Sequence, residues 1–345
     1  MQKSIKKIFG RTEFYVFALL VVLSVLIQFR SGGQFYTANN LVDIASALIV
    51  PGIFAVGTFM VIVSGGFDVS FPALASLSVY ATTKFMLNID YSGGILLPLL
   101  MVIAIGALLG AFNGFFVGYL NLNAMIVTLG ASSVFKGIMQ GALNSKQLAV
   151  IPEGMRAFGT SALFTATNSQ SGLTSRMPMA FLVFVAVVIL AWFLLNRTYF
   201  GRGIYALGGN PASAKAAGFN VKRTKFIMFI LVGMISAVAG FIRVCMMQQC
   251  HPTNMLGMEM NIIAGVVLGG AAITGGAGTL LGCILGTLLI VMVENSMILL
   301  GVPTTWKSVF VGALIVIGTG VSALQVLRAN RSASRARTMT KEGAK

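Results

Sequence analysis

Few residues in this 345-residue chain are of types that carry out chemistry, and their spacing argues against most of it. The only histidine, His251, stands beside Pro252, and the three cysteines, Cys245, Cys250 and Cys283, are scattered. A zinc site needs three or four ligands at set spacings, so these read as loop and packing residues. Ser132 and Ser133 lie in an apolar run, where a serine nucleophile would need a base, and His251 falls in a different loop. No Gly-x-x-x-x-Gly-Lys-Ser/Thr loop occurs, so the chain lacks that phosphate cradle, and an enzyme is not the reading. Two features remain. Glu294, beside Asn295 and Ser296, is the most interior carboxylate; it either faces a polar cavity or pairs with a lysine. The other is a polar island, Asn210-Pro-Ala-Ser-Ala-Lys-Ala-Ala-Gly218, preceded by Gly208 and Gly209.

The island reads as a complete miniature helix. Asn210 caps the first free amides, Pro211 suits the first helical position, and Gly218 takes the left-handed conformation that ends a helix. Ala212, Ala214 and their neighbours leave a thin rod about 10 Å long that fits another protein's groove, with Lys215 its one charge. The expectation is a docking knob.

The surroundings are a membrane protein. Hydrophobic residues make up 57% of the chain and charged ones 9%, against about 25% in soluble domains. Forty glycines suit close helix approach in lipid. The net charge of +16 sits in loops and tails without an aromatic-interleaved basic surface, so it speaks for positive cytoplasmic loops rather than nucleic acid. Runs of spanning length number ten: residues 14–29, 41–64, 70–87, 94–112, 124–143, 178–195, 226–247, 261–273, 279–300 and 309–327. The eighth is too short as drawn; it begins earlier, contains a break, or enters only part-way. No small-residue cleavage site follows the first, which reads as a retained span.

Ten alternating spans with the N-terminus inside put four basic residues of the N-terminal arm, six between Arg197 and Lys225, and six of the 328–345 tail in the cytoplasm, out of 24 in all. That asymmetry favours this orientation, which places the knob, within a loop over 196–225, where nucleotide is. The tail reads as an anchor at anionic headgroups. The longest external connection, Asn144 to Met177, reads as loop from its Ser, Thr, Gly and Asn content, a surface for an external partner or an idle excursion.

Two breaks are expected to wall a path. Pro51-Gly52 falls in the second run and Gly269-Gly270 with Gly275-Gly276 in the eighth, and broken helices persist in a membrane only where protein or a water-filled cavity satisfies the backbone. A weak echo pairs the two regions: Val63-Ser-Gly-Gly-Phe-Asp-Val-Ser70 and Ile273-Thr-Gly-Gly-Ala-Gly-Thr-Leu280. Candidate path residues are therefore Pro51, Gly65, Gly66, Asp68, Asn113, Glu294 and Asn295, with Asn121 and Asn123 as further polar lining.

Four stretches carry a family resemblance: Val56-Gly-Thr-Phe-Met-Val-Ile-Val-Ser-Gly-Gly-Phe-Asp-Val-Ser70, Gly110-Ala-Phe-Asn-Gly114, Gly201-Arg-Gly-Ile-Tyr-Ala-Leu-Gly-Gly-Asn-Pro211 and Val266-Val-Leu-Gly-Gly-Ala-Ala-Ile-Thr-Gly-Gly-Ala-Gly278. In order and spacing they resemble the permease subunits of bacterial ABC importers for ribose, xylose and related sugars. The resemblance implies an all-α polytopic protein of the inner membrane, about ten helices with some broken or re-entrant, forming one permease domain over 1–345 with both termini cytoplasmic. It implies no cofactor of its own, since ATP is used by a cytoplasmic ATPase subunit docked on residues 208–225. It further implies a second permease subunit, identical or related, and an extracytoplasmic sugar-binding protein. Ala212 stands where such permeases carry a glutamate in the docking motif, and Asn261 where an aspartate is frequent. An ion-coupled carrier or facilitator working alone is the alternative; a purely structural membrane protein would leave the breaks and the capped helix without a role.

Overall fold

The computed structural model describes residues 12–168, 172–306 and 309–313, with Val316 and Gly320. In chain order the elements are α1 (Thr12–Arg30), α2 (Ala38–Val63), α3 (Phe71–Asn88), α4 (Leu96–Gly114) continued by a π-helical turn (Phe115–Tyr119), α5 (Ala124–Gly141) and α6 (Glu153–Thr160). There follow β1 (Ala162–Thr167), β2 (Thr174–Pro178), α7 (Ala180–Arg197), α8 (Tyr199–Gly209), α9 (Pro211–Ala216), α10 (Val221–Met247), α11 (Glu259–Leu268) and α12 (Leu280–Leu299). Among the described residues, six are long and apolar enough to cross a membrane: α1, α2, α4 through Tyr119, α7, α10 and α12. α3 and α5 have 18 residues each with more polar side chains, and α11 has only 10, about 15 Å, so the eighth expected span goes part-way. Most of the tenth expected span and the whole 328–345 tail lie outside the described residues.

The core forms around α2, apolar on every side and therefore wrapped by α7, α10, α11, α12 and β2. α4 and α10 meet along small residues. A Cβ at Gly106 would press on Ala237 and the Gly233 carbonyl, and one at Gly110 would overlap the Phe229 carbonyl, so their side-chain-free faces let the backbones touch.

Two expectations are corrected. Pro51-Gly52 does not interrupt the second run: α2 continues from Ala38 to Val63 with Pro51 inside it. Proline forfeits a single backbone bond, and surrounding helices hold the rest of α2 in register. Gly52 serves packing, since a Cβ there would come within 2.5 Å of the Phe184 ring. The Asn144–Met177 connection is folded rather than loop throughout. It holds α6 and the antiparallel β1–β2 hairpin, with β2 laid against α2 and α6 against α10. A bridge pairs Leu148 with Cys250, and Gln147 Nε2 donates to Gln249 Oε1 at 2.7 Å. These contacts mark the hairpin end of the molecule, opposite the α9 end.

Candidate functional site

At the α9 end, Asn210 leaves helical geometry, and its Oδ1 accepts from the Ala212 and Ser213 amides at 2.9 and 3.0 Å. Pro211 takes the first helical position. The helix runs six residues, to Ala216, about 9 Å. Gly218 closes it with φ +88°, while the Gly218 and Phe219 amides donate back to Lys215 and Ala214 at 3.0 and 3.1 Å. Pro211, Ala212 and Lys215 are exposed, and Ala214 alone turns inward, against α8. Ala214 thus packs the knob onto its mount rather than facing a partner. Tyr199 stacks on Phe219 at 4.6 Å and its hydroxyl donates to the Gly218 carbonyl at 3.2 Å, so the turn after α9 is bolted to the start of α8. A groove of about 570 Å³ runs alongside, lined by Pro211, Ala212, Lys215, Phe219 and Lys222.

The knob is mounted on a junction of glycines. Gly208 lies in the last turn of α8, and a Cβ there would overlap the Val63 carbonyl at the end of α2 and the Gly276 amide. Gly275 and Gly276 hold φ of +87° and +76°, a region glycine enters without penalty, and the Gly276 amide donates to the Val63 carbonyl at 2.8 Å. A Cβ on Gly275 would come within 2.7 Å of Gly65, and one on Gly276 within 2.8 Å of Gly209. The two echoed stretches therefore touch, with the mount of the knob clamped to both. Tyr205 of α8 adds a hydrogen bond from its hydroxyl to the Gly278 carbonyl at 3.1 Å. Gly65, Gly66, Asn121 and Asn123 line an adjoining cavity of about 230 Å³, where Lys225 Nζ reaches Asn121 Oδ1 at 3.4 Å and Asn123 caps α5.

The remaining candidates fall into two places. Asp68 and Asn113 meet through Ser70: Asp68 Oδ1 accepts from the Ser70 amide and hydroxyl, both at 2.7 Å, and Asn113 Nδ2 donates to the Ser70 Oγ at 2.8 Å. Burial pushes the Asp68 carboxyl above its usual range, and the hydrogen bonds from Ser70 and Phe71 pull the other way. All three are fully enclosed by protein, so they tie α3 to α4 rather than line a cavity. Pro51 and Glu294, by contrast, share a small cavity of about 70 Å³ with Asn261 and Thr287, and Asn261 Nδ2 donates to Glu294 Oε1 at 3.0 Å. Asn295 is half-buried on the neighbouring face. Gly65 lies 14 residues, about 21 Å, along the chain from Pro51 and does not join this cavity.

Elsewhere the chemistry-bearing residues serve structure. His251 Nδ1 faces Thr253 of its own loop, Ser133 Oγ returns to the Leu129 carbonyl at 3.3 Å, and the three cysteines are buried free thiols. Sequence reasoning left Tyr205, Tyr199, Phe219 and the Asn261–Glu294 bond out of the site. The echo of two Gly-Gly turns was the available signal for the junction.

Residues 40–318 match the family model of the branched-chain amino acid transport system permease component. The chain belongs to this permease family. The permease is 30% identical over 313 residues to the D-allose transport system permease protein AlsC of Escherichia coli K12, covering 90% of this chain and 92% of that protein. It is 31% identical over 301 residues to the ribose import permease protein RbsC of the same strain, covering 87% and 90%. Against the xylose transport system permease protein XylH of Haemophilus influenzae it is 28% identical over 365 positions, covering 89% and 95%. No solved structure matches the permease. Family and helices together make it a multi-pass membrane transport component.

Proposed function

We propose that this permease is the membrane subunit of an ATP-binding cassette importer that passes a monosaccharide into the bacterial cytoplasm on ATP hydrolysed by a separate subunit. The observation that carries the reading is mechanical: the exposed α9 is fixed to α8, and α8 is clamped through Gly208 to the end of α2 and to the α11–α12 connection. A push on α9 from an ATPase reaches helices that wall the membrane interior without crossing a flexible linker. The relatives named for allose, ribose and xylose supply the substrate class.

The partners follow from that reading. A cytoplasmic ATPase seats on α9 and its groove, where Lys215 and Lys222 favour an acidic partner face and Ala212 brings no carboxylate. An extracytoplasmic sugar-binding protein delivers solute at the hairpin end, and a second permease subunit completes the path. Both termini lie in the cytoplasm of an inner-membrane protein. The permease needs no cofactor, since nucleotide is bound by the ATPase.

The test is purification from its native membrane in mild detergent, with residues 210–218 intact or replaced by a flexible linker of equal length. Co-elution of an ATPase that vanishes with the linker supports the reading. Uptake driven by an ion gradient in ATP-free vesicles, with no ATPase bound to either form, would replace it with the carrier alternative.

A further inference from the structure

The cavity shared by Pro51, Asn261, Thr287 and Glu294 belongs to none of the features that explain docking. On α12, Thr287, Ile290, Val291 and Glu294 follow the three- and four-residue spacing of one helical face, and that face meets α11 at Asn261 and α2 at Pro51. Glu294 is half-buried in the last turns of the apolar α12, five residues, about 7.5 Å, before its end at Leu299. A carboxylate within an apolar helix is costly and marks a polar pathway by default. Asn261 donates to Glu294 through a 3.0 Å bond. A carboxylate accepts up to four hydrogen bonds, and an amide both donates and accepts. Together they match the vicinal hydroxyls of a sugar ring, each of which donates once and accepts.

The volume of about 70 Å³ lies far below the roughly 300 Å³ at which pockets for small molecules begin, so the site is closed in this state. The same hairpin that carries the pair can open it. A Cβ at Gly269 would overlap the Gly282 carbonyl, and one at Gly286 the Gly265 carbonyl, so α11 and α12 interlock as one body. The turn joining them holds Gly275 and Gly276, the residues clamped to Gly65, Gly208 and Gly209.

We propose that Asn261 and Glu294 form a hydroxyl-binding station for the sugar in transit, and that the α11–α12 hairpin is the lever that opens it away from α2 when α9 is displaced. The inference rests on the importer reading above. It places substrate contacts on the hairpin, distinct from those of the delivering protein.

The test uses the complete transporter with its native ATPase and binding protein in proteoliposomes, and labelled D-ribose, D-xylose and D-allose as probes. Glu294→Gln and Asn261→Ala should each lower the maximal ATP-driven uptake at least tenfold. The half-saturating sugar concentration, set by delivery, should not change. Glu294→Asp should recover part of the rate, which a purely steric role for the side chain does not predict. Glu259→Gln, outside the cavity, is the control. Normal maximal rates in both site variants would overturn the station while leaving the importer reading intact. A loss of rate that tracks loss of protein from the membrane, with no recovery in Glu294→Asp, would assign the pair to folding and overturn it too. Failure of the wild-type transporter to take up any of the three sugars with ATP would instead strike the importer reading, and the station with it.

Discussion

Gly208 and Gly209 are adjacent, alike in sequence, and unequal in what they touch. An alanine Cβ at Gly208 meets the Val63 carbonyl and the Gly276 amide, both backbone atoms that cannot rotate away, whereas one at Gly209 meets nothing within 4 Å. Gly208→Ala should therefore destabilise the protein by about 1–3 kcal/mol, as overpacking does, and sharply reduce uptake; Gly209→Ala should leave both near wild type. Thermal unfolding in detergent and vesicle uptake read the contrast, and equal behaviour of the two would dissolve the junction. Asn210→Ala removes two capping bonds and should cost about 1 kcal/mol by the same melt. The cap was legible in the sequence because Asn, Pro and Gly announce helix ends by their own backbone chemistry. The Asn261–Glu294 bond was not: its partners are 33 residues apart, and their meeting depends on the register of two helices.

Between elements, the sequence showed where helices lie better than where they break. The apolar runs at 41–64, 70–87 and 94–112 became α2, α3 and α4 within a few residues, because the bilayer's thickness and the need to satisfy backbone groups leave little choice. Pro51 misled because a proline's local cost is small beside the packing around α2, and the Asn144–Met177 segment because hairpin pairing is a tertiary matter. The small-residue interlock of α11 with α12 was likewise invisible, since forty glycines give no sign of which ones touch. It yields a prediction at its own scale. Gly269→Val would force α11 from the Gly282 backbone, so the hairpin should cease to move as one body. Uptake should fall at least tenfold while the ATPase still co-elutes with the permease, because α9 and its groove are untouched. If the ATPase is lost as well, the hairpin holds the docking end together and is not an independent lever.

At the scale of the whole molecule the two ends differ in kind, and the difference fixes what each can meet. The α9 end presents a short exposed helix with Lys215 beside a groove that includes Lys222, while the hairpin end presents α6 and the exposed strand β1. Basic loops resist translocation, so the α9 end should face the cytoplasm. The three native cysteines are buried, which leaves little background for a thiol probe. Ser213 on α9 and Thr165 on β1 are both exposed, and a cysteine at either position reports its side of the membrane. A membrane-impermeant maleimide should label Thr165→Cys in spheroplasts, where the periplasmic face is open, and Ser213→Cys only after the membrane is permeabilised. Docked ATPase should then protect Ser213→Cys, and that protection should weaken between low salt and 1 M salt, where the screening length falls to about 3 Å, if Lys215 and Lys222 meet an acidic face. The opposite labelling pattern would put α9 on the side without ATP. No ATPase could then push on the glycine junction, and the interlocked helices would have to be moved by the solute or an ion alone.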